Sequence, residues 1–306
     1  CNTWYIASLY ITMALLVVEM LRLSHKRHPW FPAWVRQHYA AVKLSLFAGI
    51  ALGVTALMVH ANWVVNNPVA THYSIHIPKK VAGRDSLTIV MMSDMHIGEM
   101  ISNRLVRKYV ALSNAQKPDL VVWVGDWLDY ESLYAERAHV EEDLRALKAP
   151  LGVYAVNGNH EYRANRFAKY RWLQKTGATL LIDSVAQPDS TFYLIGRDDL
   201  VNKQRHGLQS LLRGVDRSKP LIVLDHQPLS FNESVMNHID LTLCGHTHNG
   251  QLWPYPLVMK WVYPCSYGYY QQAGAQYVVS SGIGFAGPPY RIGTKSELVV
   301  LHITFQ

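Results

Sequence analysis

The chain has 306 residues, of which 49% are hydrophobic and 17% charged, with a formal net charge of +7. That length can bury a sizeable core and allows one or two domains. Lys and Arg are scattered with only short clusters, a solvated surface with a bias beside apolar segments, so no nucleic-acid partner is expected. Cys1, Cys244 and Cys265 form no Cys-x-x-Cys pattern and exclude a disulfide framework, leaving a single Cys244–Cys265 bridge open.

Two segments near the start are of one kind. Thr3 to Leu21 is apolar with Glu19 its only charge, and Ala40 to His60 is apolar with Lys43 its only charge. At ~1.5 Å per helical residue, each is long enough to cross a hydrocarbon layer of ~30 Å. They predict two transmembrane helices, about 3–21 and 40–60, in a membrane anchor over residues 1–62. A signal peptide fits the first poorly, since no basic region precedes it and no small-residue cleavage site follows. The connecting loop carries Arg22, Lys26, Arg27 and Arg36, whereas Ala61 to Pro78 carries no Lys or Arg. By the positive-inside rule the loop is cytoplasmic and everything after His60 lies outside the cytoplasm. A chain beginning at Cys1 rather than Met leaves room for a further helix upstream.

Residues 70–306 carry the pattern of a soluble domain. Tyr73, Ile75 and Ile77 alternate with polar residues up to Pro78, a half-buried strand, and Leu87 to Met92 is the next. Helical patterns follow at Asn103 to Ala115, Ala135 to Leu147, Phe167 to Lys175 and Leu208 to Arg213. Strands alternating with helices predict an α/β domain with covered sheets. About ten residues separate the second apolar segment from the domain, which spans at most ~33 Å, so the domain is expected close to the bilayer.

Five apolar, strand-like runs each end in metal-capable side chains. Leu87 to Met92 is followed by Ser93-Asp94-Met95-His96, where Asp94 and His96 share a parity and can point the same way. Leu120 to Val124 is followed by Gly125-Asp126, and Gly152 to Val156 by Asn157-Gly158-Asn159-His160-Glu161. Leu221 to Leu224 leads to Asp225-His226, and Leu241 to Cys244 to Gly245-His246-Thr247-His248-Asn249-Gly250-Gln251. In isolation, Gly-Asp at a strand end is more often a turn or helix cap, and Asn-Gly-Asn is ordinary turn chemistry. Their joint recurrence points to a metal site, because imidazole nitrogen and carboxylate oxygen suit first-row divalent metals.

With these spacings the five stretches resemble the calcineurin-like metallophosphoesterase family. Its pattern Asp-x-His, Gly-Asp, Gly-Asn-His-Glu, a lone His and Gly-His-x-His is met by Asp94 with His96, Gly125-Asp126, Gly158 to Glu161, His226, and His246 with His248. The wording of the last stretch, with Gly282-Ile283-Gly284 and Arg291 further on, is most similar to the membrane-associated bacterial branch, which includes UDP-2,3-diacylglucosamine hydrolase-type phosphoesterases. That branch usually shows Gly where Asn249 stands here. The resemblance implies a four-layer α-β-β-α sandwich with two divalent metal ions, of iron, manganese or zinc. It implies Asp94, His96 and His248 on one metal, Asn159, His226 and His246 on the other, Asp126 bridging, and His160 as a catalytic proton donor.

Substrate contacts are less explicit. Arg197, Arg205 and Arg291 are candidates for pairing with phosphate, and Asn249 for a substrate contact. The aromatic stretch from Trp253 to Trp261 is either a core-covering loop or a lipid-facing lip, since Trp and Tyr favour the membrane interface. The expectation is a metal-dependent phosphoric ester hydrolase in the bacterial cytoplasmic membrane, with its catalytic domain outside the cytoplasm. The lipid bilayer and a phospholipid-like or lipid-linked phosphate are its expected partners. A tethered general phosphodiesterase and a non-catalytic metal-binding scaffold are the alternatives.

Overall fold

The computed structural model describes residues 2–306, so the sequence reading of Cys1 lies outside it. The chain divides into two compact units, one running to Trp63 and including Gly287–Tyr290, the other holding Val64–Ala286 and Arg291–Gln306.

In the first unit, α1 (Asn2–Arg27) and α3 (Tyr39–Asn66) are joined through the short α2 (Ala33–Gln37). Both long helices exceed the predicted spans by six residues at the far end. For α1 the extra turn is basic, with His25, Lys26 and Arg27 placed at the negative end of the helix dipole. Pro29 and Pro32 then stop the helical ladder, and Nδ1 of His25 accepts the N–H groups of Trp30 and Phe31 to shape the turn. Leu44, Phe47 and Leu52 are exposed along α3, and both helices are long and apolar enough to cross a membrane. The Gly287–Tyr290 loop is tied to them by a bond from Asn62 Nδ2 to the Pro289 carbonyl, 3.0 Å, and by Thr3 Oγ1 against the Tyr290 hydroxyl, 2.8 Å.

The second unit is a mixed α/β fold. It begins with β1 (Val69–Ile77), β2 (Ser86–Met92), α4 (Asn103–Ala115), β3 (Leu120–Val124), α5 (Leu133–Arg137), α6 (Val140–Leu144) and β4 (Val153–Val156). It continues with α7 (Arg166–Thr176), β5 (Thr179–Leu180), β6 (Ser184–Ala186), β7 (Tyr193–Gly196), α8 (Leu208–Leu211), β8 (Leu221–Leu224), α9 (Phe231–Met236) and β9 (Leu241–Cys244). The last elements are α10 (Tyr255–Val262), β10 (Gly268–Gln272), β11 (Ala275–Val279) and β12 (Glu297–Phe305). The single helix expected over Ala135 to Leu147 is two short ones, because His139 between them is left-handed at φ 52°. Ten linker residues were expected after the second apolar segment, but α3 runs to Asn66 and β1 starts at Val69.

Two six-stranded sheets, ordered β1-β12-β2-β3-β4-β5 and β10-β11-β9-β8-β7-β6, form the middle layers. Ile89, Met91, Val122 and Val124 of one sheet share a buried core with Ile222, Leu224, Leu241 and Leu243 of the other. Val90, Met92, Val121 and Trp123 face the opposite way, onto Leu105, Val106 and Tyr109 of α4 and Trp172 of α7. On the second sheet, Ile195 and Val223 pack on Leu208 of α8, and Cys244 and Tyr277 on Phe231 of α9. The strict alternation within strands buried on both faces therefore produces the four layers that the family resemblance implied. Cys244 and Cys265 are both buried and free, so the bridge left open by the sequence is not formed.

Candidate metal centre

The strands β2, β3 and β4 run parallel in one sheet, and β7, β8 and β9 in the other. The loops after five of these strands meet at one edge. Asp94, His96, Asp126, His246 and His248 all sit at positive φ, between 46° and 71°, a region that costs a residue with a side chain about 1–3 kcal/mol. Sequence alternation accounted for Asp94 and His96 sharing a side; the structure achieves it through these left-handed turns instead. The turns are held by the Asp94 N–H on the Gly125 carbonyl, 3.1 Å, and the His96 N–H on the Asp126 carbonyl, 2.9 Å. Gly158 passes so close to Asp126 that an added Cβ would collide with its carboxylate and its backbone nitrogen.

Among the described residues, three groups of donors result. Asp94, His96 and His248 offer atoms within 4.8 Å of one another, as do Asp126, His226 and His246; the third group, His96 with Asp129 and His160, shares His96 with the first. In the first group His96 Nε2 faces His248 Nε2 at 3.0 Å, and His248 Nε2 is 3.5 Å from Asp94 Oδ1. In the second, His246 Nδ1 is 2.9 Å from Asn159 Oδ1. Asp126 Oδ2 lies between the groups, 3.3 Å from His226 Nε2 and 3.7 Å from His96 Nε2.

The state of His226 tests whether metal fits here. Its Nδ1–H donates to the Val124 carbonyl at 2.8 Å. Burial opposes a charged ring, but the Asp126 carboxylate raises its pKa well above the usual imidazole range, so without an ion Nε2 carries a proton that a metal would displace. That Nε2 is fully buried and, despite its closeness to Asp126, has no hydrogen bond. A buried nitrogen without a partner is costly, and a ring fixed through Nδ1 with Nε2 unpaired is the arrangement of a metal-ligating histidine. Divalent metal ions therefore fit the donor set: Asp94, His96 and His248 could hold one, Asn159, His226 and His246 a second, with Asp126 shared.

Charge agrees with this arrangement. Burial works against an ionised Asp126, yet the imidazoles of His226, His96 and His160 outweigh it and hold the carboxyl well below the usual carboxylate range. Burial, then the neighbouring His226, pushes His246 down to about 4. His248 is lowered by burial, then by His96 and the Arg291 guanidinium. Both are thus neutral at physiological pH, the form in which imidazole binds a metal.

His160 stands beside the donors. Its Nδ1 is 2.8 Å from the Asp129 carbonyl and 3.0 Å from Asp129 Oδ1, and its ring abuts that of His96 edge-on at 4.4 Å. Burial opposes its protonated form, but the bond to Asp129 and the charge of Asp126 raise its pKa overall. Asp129 was missed by sequence reasoning, although its spacing in Gly125-Asp126-Trp127-Leu128-Asp129 was there to read. Glu161 has a role that its motif position did not reveal. Its carboxylate accepts the N–H groups of Gly158, Asp126 and Leu128 at 2.7, 2.8 and 3.2 Å, clamping two ligand loops together. Burial and then the Asp126 charge push its pKa up to about 7. Lys169, also buried, donates to the His160 carbonyl at 2.5 Å.

The expected phosphate-binding arginines are placed differently. Arg197 is buried and bonded to Glu233 at 2.6 Å and Asp225 at 3.3 Å, and Arg205 is bonded to Asp225 at 3.0 Å. Arg291 is buried and donates to the carbonyls of Ser281, Gly284 and Gly282 at 2.6, 2.8 and 3.1 Å. Internal acceptors thus occupy both Arg197 and Arg291, and each braces a loop beside a donor in place of reaching into solvent. Asn249 adopts φ 47° and ψ 37°, which explains a Gly-preferring position: Asn is among the few residues with a side chain that visit this region. Trp253 and Trp261 are 45% and 88% exposed, and no residue of α10 is buried. This surface reaches the site, since Tyr263, at the end of α10, packs edge-on against His246 with ring centres 6.1 Å apart.

Residues 87–250 match the sequence model of the calcineurin-like phosphoesterase family. A Bos taurus protein named as a transmembrane protein with metallophosphoesterase domain is 30% identical over 287 residues, 85% of this chain and 63% of that protein. A metallophosphoesterase of Aquifex aeolicus (strain VF5) is 30% identical over 239 residues, 76% of this chain and 90% of its own length. A dimetal phosphatase structure from Danio rerio is similar at 15% identity and a TM-score of 0.46, covering 73% of this chain and 100% of that one. The chain spans 52% to 63% of the length of its relatives from Bos taurus, Caenorhabditis elegans and Danio rerio. The family match takes in all seven donors, from Asp94 to His248, and the Aquifex relative extends it across nearly a whole protein: the chain belongs to the calcineurin-like phosphoesterase family.

Proposed function

We propose that the chain is a membrane-anchored, metal-dependent phosphoric ester hydrolase acting on a diester, pyrophosphate or monoester bond of a lipid-linked phosphate. The observation that carries the hydrolase reading is the pair of neighbouring donor groups with Asp126 Oδ2 within 3.3 Å of His226 Nε2 and 3.7 Å of His96 Nε2, and the buried His226 Nε2 left without a hydrogen bond. Two divalent metal ions, when bound, supply Lewis acidity toward phosphate oxygens and an acidified water. The protein's own part is to orient and to move protons. Asp129 holds His160 by Nδ1, so that Nε2, 3.9 Å from Asp126 Oδ2, is the nitrogen free to give a proton to a leaving oxygen.

Support for a lipid-linked substrate is the exposed aromatic surface of Trp253, Tyr255, Leu257 and Trp261 next to the donors, together with two helices suited to a bilayer. Support for an extracytoplasmic domain is the basic loop between those helices. The nitrogen and oxygen donors accommodate manganese, iron or zinc.

Hydrolysis of a chromogenic phosphodiester with added manganese tests the enzyme reading against a metal-binding scaffold. Asp126→Asn should lose both turnover and metal, from near two ions per chain, because a neutral amide cannot balance two cations. A variant that keeps both metals and full turnover would remove Asp126 from its shared position. Metal binding by the unaltered protein without hydrolysis of any phosphoester would leave the scaffold.

A further inference from the structure

A groove of about 890 Å³ runs between α1 and α3, within the first unit. Its floor is apolar, including Leu15, Leu16, Leu46 and Ile50, while its rim carries Arg22, Lys26, Arg36 and Lys43. Glu19 is the single acid lining it and is already engaged by Arg22 at 2.7 Å. Among the described residues, Lys26, Arg36 and Lys43 have no carboxylate partner, and residues 22–43 contain no Asp or Glu. Nδ1 of His25, also on the wall, accepts two backbone N–H groups, which leaves the Nε2–H of the ring as one more donor.

Lys43 is the most telling of these groups, lying one turn inside an otherwise apolar helix. A cation at such a position is costly unless an anion or the interface satisfies it. The groove joins that unmet charge to a long apolar wall, a combination suited to an amphiphile with an anionic head. A soluble anion has no use for the wall. A second copy of the chain would bring a second basic rim, and a zwitterionic lipid would set its own cation against this one.

We propose that this groove binds one anionic phospholipid, with an acyl chain along the α1–α3 floor and its phosphate between Arg36, Lys43 and the Nε2–H of His25. Basic pockets between membrane helices recognise acidic headgroups by this pairing. The groove is built by residues of the first unit and the metal donors by residues of the second, and lipid binding needs no catalysis. It rests only on the reading of α1 and α3 as bilayer-inserted, which extraction by alkaline carbonate instead of detergent would refute separately.

The test uses the full chain in mild detergent, titrated with phosphatidylglycerol or phosphatidylcholine and read by native mass spectrometry. One phosphatidylglycerol per chain should be retained at activation energies that strip phosphatidylcholine. Arg36→Gln with Lys43→Gln should weaken that retention on the order of tenfold, while Arg171→Gln, on the exposed surface of the other unit, leaves it unchanged. Should the double variant fail to accumulate, Arg36→Gln alone, on the exposed α2, must still weaken it. Hydrolysis of a small soluble diester should be the same in all variants. Equal retention of the two lipids, binding that does not saturate at one per chain, or variants that bind as the unaltered chain does would each overturn the proposal.

Discussion

Asp129 reaches His160 twice, through its carboxylate and its carbonyl, and the consequences of that double hold can be measured. His160→Ala removes a positioned proton donor but none of the seven proposed ligands, so turnover should fall on the order of 10² to 10⁴-fold with metal content unchanged. Loss of the metals in this variant would make His160 a ligand instead. Asp129→Asn should be milder. The carboxylate raises the pKa of His160, so replacing it lowers that pKa, and any activity needing the protonated ring should retreat to lower pH. The pH–rate profile reads this shift, and an unmoved profile with full turnover would deny Asp129 a positioning role. None of this pairing was legible as a contact, since 31 residues separate Asp129 from His160 and only folding joins them. The burial of Arg197 was equally hidden, because its partners Asp225 and Glu233 lie 28 and 36 residues on.

At the scale of elements, the strand ends were readable because each ligand directly follows an apolar run, a local signal. The left-handed turns that aim the ligands were not, for Asp and His carry no backbone preference strong enough to announce them. The stretch that forms α10 was read only as a core-covering loop or a lipid-facing lip, yet Pro254 and Pro256 stand at its start, where proline is well placed in a helix's first turn. The hairpin of β10 and β11 turns on Ala273 and Gly274, both at positive φ, where Asn-Gly would have signalled it. Two predictions belong here. Gly158→Ala should shift the loop after β4 away from Asp126, costing roughly 1–3 kcal/mol as an overpacked contact does and lowering metal occupancy with the melting temperature. An unchanged melting temperature and full occupancy would mean the loop gives way freely. If α10 is a lipid-facing lip, Trp253→Ala and Trp261→Ala should raise the Michaelis constant for a long-chain phospholipid-like substrate and spare a small soluble phosphodiester. Equal damage to both substrates with a lowered melting temperature would assign the rings to packing.

For the whole molecule, orientation is the open variable with the largest effect on substrate. Ser190 is exposed in a turn of the second unit, and a cysteine placed there should react in intact cells with a thiol reagent that cannot cross the cytoplasmic membrane. Labelling only after lysis would put the domain in the cytoplasm, within reach of nucleotide-linked lipids. The sheet order has a different consequence, for how the chain comes to be folded at all. The strand β12 is the last of the twelve in sequence but sits inside its sheet, parallel to β1 on one side and antiparallel to β2 on the other. During synthesis at ~5–20 residues per second, β1 emerges more than two hundred residues ahead of β12, the strand it pairs with. The nascent domain must therefore hold two open strand edges apart until its final stretch leaves the ribosome, and a chaperone that shields such edges should be found on stalled chains ending before Glu297 and absent from those that extend well past Phe305.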